Sequence, residues 1–117
     1  MTTKSNVLEA TLTNHLQAFL EASIDGVMRD YAKDAVLITR DGPLRGVSEI
    51  RAFFVRFIET LPTGFLQAFK LHRQEFIADV GYIVWDALPW ARLGTDSFVV
   101  RDGKIVLQTF AAYPPSW

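Results

Sequence analysis

The sequence predicts an α+β fold, in which N-terminal helices are wrapped by a cone-shaped, strongly curved antiparallel sheet, in the order α-α-β-α-β-β-β-β. Three observations predict it. Apolar residues recur at helical spacing between Leu8 and Leu20 and again between Ile50 and Leu61. From Phe65 onward the spacing becomes that of strands, broken by turn signals at Asp79-Val80-Gly81 and Asp102-Gly103. Half of the 117 residues are apolar, which is enough for one core, so a single domain is expected over 1–117 with its core at about 7–113.

Leu8, Leu12, His15 and Phe19 stand at i, i+4, i+7 and i+11, one face of a helix running from near Asn6 to near Ser23. Leu16 and Leu20 widen that face. Ile24, Val27, Met28 and Tyr31 suggest a shorter second helix, entered through Asp25-Gly26. Val36, Leu37 and Ile38 form a strand between Ala35 and Thr39, and Asp41-Gly42-Pro43 is a turn by composition. A third helix starts at Ser48 or slightly earlier, at Gly46. Ile50, Phe53, Phe54, Phe57, Ile58 and Leu61 form its apolar stripe, and Pro62-Thr63-Gly64 stops it.

Phe65 to Ala78 reads as one long strand whose apolar parity changes from odd (Phe65, Phe69, Leu71) to even (Phe76, Ala78). His72-Arg73-Gln74-Glu75 sits at the change, so a bulge or sharp bend is expected there. Strands follow at Tyr82 to Ala87, Thr95 to Arg101 and Lys104 to Tyr113, the last two joined by the hairpin signal Asp102-Gly103. Pro114-Pro115 ends the ladder. A bent sheet around helices encloses a conical space, either filled by aromatic side chains or open to a ligand.

Composition excludes several classes of function. The net charge of -1 gives no basic excess to displace counterions, so nucleic acid is not an expected partner. The absence of cysteine removes disulfides, thiolate zinc sites and cysteine nucleophiles. No apolar run approaches the ~20 residues of a membrane span, and the polar start Met1 to Asn6 is unlike a signal peptide, so no membrane contact and a cytoplasmic location are expected. Gly42-Pro43-Leu44-Arg45-Gly46 lacks the Lys-Ser/Thr of a phosphate loop, and no Gly-x-Ser-x-Gly elbow occurs. His15 and His72 lack ligand-type partners at i+3 or i+4, so neither a metal site nor a cofactor is expected. Nine Phe, three Tyr and three Trp exceed what a plain small core needs. The last strand looks apolar on both sides (Ile105, Leu107, Thr109 and Ala111 against Val106, Phe110 and Ala112), which implies a homodimer through the outer sheet face.

Two polar residues interrupt apolar patterns and are the candidate catalytic residues. If Phe98 and Val100 point inward, alternation sends Asp96 inward too. A carboxyl in an apolar cone is raised in pKa and becomes a hydrogen-bond donor or general acid. The alternative is a strand start near solvent, with Asp96 bonded to backbone or to Arg92 or Arg73. His15 is centred on the first helix's apolar stripe, where an imidazole either exchanges protons with the pocket or bonds a core carbonyl. His72 belongs to the polar mid-strand patch and is expected on the outer face. An open cone would be lined by Phe19, Tyr31, Phe53, Phe57, Trp85, Phe98 and Phe110, with core or dimer packing the competing role for Trp85.

Three segments, in order, carry a resemblance. Residues Ile24 to Val36 are similar to the D-x-D-x-(apolar)-x-x-(Tyr/Phe)-A-x-D-A segment of SnoaL-like proteins, of the nuclear transport factor 2-like (cystatin-like) superfamily. Gly42-Pro43-Leu44-Arg45-Gly46 with Ile50-Arg51-Ala52-Phe53-Phe54 resembles its G-x-x-x-G-x-x-x-I-x-x-(aromatic) segment, and Asp96 to Ile105 resembles its D-x-(apolar)-x-(apolar)-x-x-G-K-I hairpin. The resemblance implies a curved sheet around a hydrophobic pocket, commonly in a homodimer. Its members include ketosteroid isomerases, polyketide cyclases, epoxide hydrolases, dehydratases and non-enzymatic binding domains. Asp96 falls where ketosteroid isomerases place the aspartic acid of their oxyanion hole, and His15 falls at its tyrosine, a departure. Thr39 stands where those isomerases carry the proton-abstracting aspartate, which argues against that activity. The resemblance therefore implies either a cofactor-free acid–base enzyme of isomerase, cyclase or hydrolase type acting on an apolar or polycyclic carbonyl compound, or a non-catalytic domain with a self-filled cone.

Overall fold

In the computed structural model, residues 4–114 are described. Two helices, α1 (Lys4–Leu20) and α2 (Ile24–Arg29), lead into strands β1 (Tyr31–Thr39) and β2 (Gly42–Arg45). Helices α3 (Gly46–Thr60) and α4 (Phe65–Ala68) follow, and then strands β3 (Phe69–Ile77), β4 (Val80–Ala87), β5 (Ala91–Arg101) and β6 (Lys104–Tyr113). The break between α1 and α2 falls at Ala22, which has a positive φ, and the Ser23 hydroxyl caps α2 by accepting from the Gly26 N–H at 3.1 Å. Helix α3 starts at Gly46, the earlier of the two expected starts, where a φ of +83° suits glycine.

The sheet runs in the order β2-β1-β6-β5-β4-β3. It is mixed, which corrects the all-antiparallel expectation: β1 and β6 pair in parallel and every other neighbour is antiparallel. The reason is the long excursion through α3 and three further strands, which returns β6 beside β1 in the same direction. The turn expected at Asp41-Gly42-Pro43 opens into a hairpin, with Leu37 opposite Leu44 and Thr39 opposite Gly42. Phe65 to Ala68 forms a helical turn and not a strand, because Gly64 takes a left-handed φ of +92° and buries Phe65 completely.

The parity change after Phe65 has the expected cause. The β3 register slips between Leu71 and Arg73, so His72 is the bulged residue. A second slip, between Val99 and Val100, leaves Val106 unpaired. It turns Ile105 inward, fully buried, although Leu107 two residues on faces outward opposite Val99. Ile105 is therefore core and not part of an outer apolar face.

Leu8 and Leu12 of α1, Val27 of α2, and Ile50 and Phe54 of α3 pack onto the inner sheet face at Ile83, Trp85 and Phe98. Two glycines let the layers close. A Cβ on Gly81 would lie 2.3 Å from Leu12 Cδ1, and one on Gly94 would lie 2.1 Å from Trp85 Cε2. The indole thus lies flat on the β5 backbone. Among the described residues no helix is long and apolar enough to cross a membrane.

Candidate active site

The site grows out of β5. Gly94, Asp96, Phe98 and Val100 alternate inward, so the carboxyl is delivered to the core face and is 7% exposed. Its neighbours on both flanking strands hold it. From β4 the Trp85 Nε1–H donates to Asp96 Oδ1 at 2.8 Å, and from β6 the Gln108 Nε2–H donates to Asp96 Oδ2 at 2.9 Å. The Tyr31 hydroxyl, at the start of β1, donates to Gln108 Oε1. Tyr31 Oη lies 3.4 Å from His15 Nε2, and His15 Nδ1 lies 3.3 Å from Oδ2 of Asp30, the residue that closes α2. One hydrogen-bonded chain therefore runs Asp30–His15–Tyr31–Gln108–Asp96. Among the described residues no buried side-chain nitrogen or oxygen lacks a partner.

Burial pushes the Asp96 carboxyl up from 3.8 to about 6, against the opposing pull of the Trp85 and Gln108 hydrogen bonds and of His15. Burial, then the charges of Asp96 and Asp30, raise the Tyr31 hydroxyl well above its ordinary value, so it is a neutral donor. No arginine or lysine among the described residues pairs with Asp96: Arg73 pairs with Glu75 at 3.0 Å and Arg92 lies over the Tyr113 ring at 5.5 Å. The alternative of an arginine partner for Asp96 is thus excluded.

His15, Asp96 and Gln108 form the polar end of a cavity of about 50 Å³ walled by aromatic rings. That is room for a few waters. Outward, a second cleft of about 190 Å³ reaches Thr39, Arg40, Asp41 and Thr60. Phe53, Phe57 and Phe110 border both spaces, with Phe53 and Phe57 stacked at 5.4 Å and Phe110 edge-on to Phe57 at 5.5 Å.

Of the residues expected from sequence, His15, Asp96, Phe19, Phe53, Phe57, Trp85, Phe98 and Phe110 all line this one cavity. Tyr31 does not line it, a correction. Its ring stands edge-on to His15 at 5.2 Å, and its contribution is the buried hydroxyl in the chain. Gln108 went unread, although it breaks the apolar pattern of β6 just as Asp96 breaks that of β5. Asp30 carries no sequence signal. Thr39 closes the β1–β2 turn by donating to the Gly42 carbonyl at 3.1 Å and accepting from the Asp41 N–H at 3.1 Å, and Asp41 itself is exposed. His72 stays outside the site, with its Nε2 2.5 Å from Asp86 Oδ2.

No family model and no curated protein matches the sequence. Solved structures do match in shape. An NTF2-like protein from Burkholderia xenovorans superposes with a TM-score of 0.77 at 19% identity, over 99% of this chain and 90% of that one. A SnoaL-like protein from Burkholderia thailandensis gives 0.72 at 16% identity, over 91% and 93%. A ketosteroid isomerase-like protein from Erwinia carotovora atroseptica gives 0.70 at 18% identity, over 98% and 100%. The chain has the nuclear transport factor 2-like fold. Within this fold, the cone is closed at its polar end by the Asp96–Gln108–Tyr31–His15 chain and narrowed by three phenylalanines.

Proposed function

We propose that this protein is a cofactor-free acid–base enzyme acting on a small apolar carbonyl compound. The observation that carries the reading is a buried carboxyl without an arginine or lysine partner, Asp96, at the polar end of an aromatic cavity that His15 also lines. A carboxyl titrating near 6 is an acid or a base around neutral pH, which suits proton transfer next to a carbonyl. Protonated, Asp96 donates to the carbonyl oxygen and stabilises the charge that develops there, while the neutral imidazole of His15, lining the same cavity, takes the adjacent C–H proton. The likeness in fold to a ketosteroid isomerase-like structure is in keeping with this class of chemistry. The lack of a carboxylate at Thr39 distinguishes it from a steroid isomerase, and a polycyclic ligand requires Phe53, Phe57 and Phe110 to swing aside.

The test is hydrogen–deuterium exchange at the carbon next to the carbonyl of cyclohexenone, followed by proton NMR in D₂O. The wild type is expected to accelerate exchange, and Asp96→Asn to lower that acceleration about 100-fold, within the usual range for one general acid–base group. A second reading, a non-catalytic domain whose cone is self-filled, is favoured by the cavity's 50 Å³. No acceleration together with no change in tryptophan fluorescence on adding cyclohexenone would favour it over the enzymatic reading.

Outward-facing Val80, Val99, Leu107 and Val36 form a row across β4, β5, β6 and β1, flanked by exposed Ile77 and Ile38. We propose that this row is the homodimer contact. Light scattering at micromolar concentration is expected to give twice the chain mass, and Leu107→Glu to give the monomer. A monomeric wild type overturns the contact.

A further inference from the structure

We propose that Gln108 makes Asp96 and His15 alternative seats for a single proton, its amide facing one way when the proton is on the imidazole and the opposite way when it is on the carboxyl. Counting donors and acceptors along the chain leads there. In the arrangement described, Asp96 accepts from both Trp85 and Gln108, so it carries no proton toward either of them. Gln108 then offers its carbonyl to Tyr31, whose only proton is used there. Tyr31 Oη therefore accepts from His15 Nε2–H. Asp30 Oδ2 faces His15 Nδ1 and accepts from a proton on that nitrogen, so the proton that distinguishes this arrangement is the one on Nε2.

Turning the Gln108 amide by 180° gives a second arrangement with the same number of protons. The His15 Nε2–H bond is broken and an O–H bond is formed on Asp96. Asp96 donates to Gln108 Oε1, Gln108 Nε2–H donates to Tyr31 Oη, and the Tyr31 hydroxyl donates to the bare His15 Nε2. His15 keeps Nδ1–H on Asp30, and Trp85 still donates to Asp96. Every group stays satisfied, which is what a buried polar network requires. His15 Nε2 and the Asp96 oxygen facing Gln108 cannot both hold a proton within the chain, because Tyr31 would then receive two donors and lose its own acceptor. Between those two positions the chain holds one. The proton itself crosses through the cavity that His15 and Asp96 both line, and the amide and hydroxyl reorient behind it.

The ionisable groups facing the chain are Asp30, Tyr31, His15 and Asp96. The other side chains packed against it, Phe54 of α3, Trp85 of β4 and Phe98 of β5, are uncharged. Gln108 is a positioning residue: it lines the cavity, and its part is to make the two ends of the site exclude each other's proton. This deepens the acid–base reading and rests on it for its use, but its test needs no substrate.

The experiment is nitrogen-15 NMR of the ring nitrogens at pH 8, with His72→Gln as background so that His15 is the one histidine. The parent is expected to show a protonated Nε2. Asp96→Asn fixes the reversed direction, since the introduced side-chain amide can accept from Trp85 and donate to Gln108 Oε1. In that variant Nε2 is expected to move to the range of a bare ring nitrogen, while Nδ1 stays protonated. Adding Gln108→Met is expected to abolish that difference. An unchanged Nε2 in Asp96→Asn, or a change that survives Gln108→Met, overturns the proposal. Should Gln108→Met fail to fold, the Gln108 side chain still decides: its amide signals must differ between the parent and Asp96→Asn, and unchanged signals overturn the proposal. Either failure leaves the cyclohexenone result to stand or fall on its own.

Discussion

The Asp96→Asn protein is expected to be more stable than the wild type at pH 8 by about 1–3 kcal/mol, with the gap closing toward pH 4. Asp96 is raised from 3.8 to about 6, so the folded state holds its proton more tightly than the unfolded chain does. The stabilising contribution of that proton is fully present below the unfolded value and is lost as pH rises through the folded one. Its full size is about 3 kcal/mol, from 1.36 kcal/mol for each unit of difference. Asparagine cannot ionise, so it escapes the loss. The substituted amide also keeps both partners, accepting from Trp85 and, with the Gln108 amide turned, donating to Gln108. Urea denaturation of both proteins between pH 4 and 8 measures the gap. A variant less stable than wild type at pH 8 means that the two donors hold the carboxylate more firmly than burial opposes it.

Gly94→Ala is expected to cost more, about 3 kcal/mol or above, at the upper end of what overpacking a core does. The added Cβ would meet Trp85 Cε2, Cζ2 and Cδ2 at 2.1, 2.3 and 2.5 Å. The indole has nowhere to retreat. It donates to Asp96 and stacks on Phe69 at 5.0 Å. Gly81→Ala is the informative comparison, because its Cβ meets only the end of the flexible Leu12 side chain and that end can rotate away. A Gly94→Ala protein within about 1 kcal/mol of wild type would show that Trp85 is not the fixed wall that seats Asp96.

Much of this architecture was legible in the sequence, for physical reasons. Helical and strand periodicities are set by burial, so α1, α3 and the last three strands appear as apolar patterns. The inward placement of Asp96 and His15 was legible because inward positions follow from periodicity alone. The polar parity break found the bulge at His72. The parallel β1–β6 pairing was not legible, since pairing between distant strands leaves no local mark. Nor was the inward turn of Ile105, which depends on a register slip opposite Val99 and Val100. The place of Tyr31 was not legible either: an aromatic at an inward position suggests a cavity wall, whereas its hydroxyl bonds Gln108 behind the cavity. The Asp30–His15 contact joins residues fifteen apart on different elements, and only the tertiary fold brings them together.

The position of β6 has a consequence for how the chain acquires this structure. The last strand is an inner one, bonded to β1 on one side and β5 on the other, so the early hairpin β1–β2 and the later meander β3–β5 meet only through it. As the chain leaves the ribosome, the two sheet fragments have no direct partner in each other until Lys104–Tyr113 has emerged. Closure then requires joining segments some seventy residues apart, a pairing of high contact order that slows the final step. Gln108 sits in that same strand. The polar chain from Asp30 to Asp96 therefore cannot be complete before β6 pairs with β1 and β5, and a species without that pairing holds both a raw strand edge and an unfinished site.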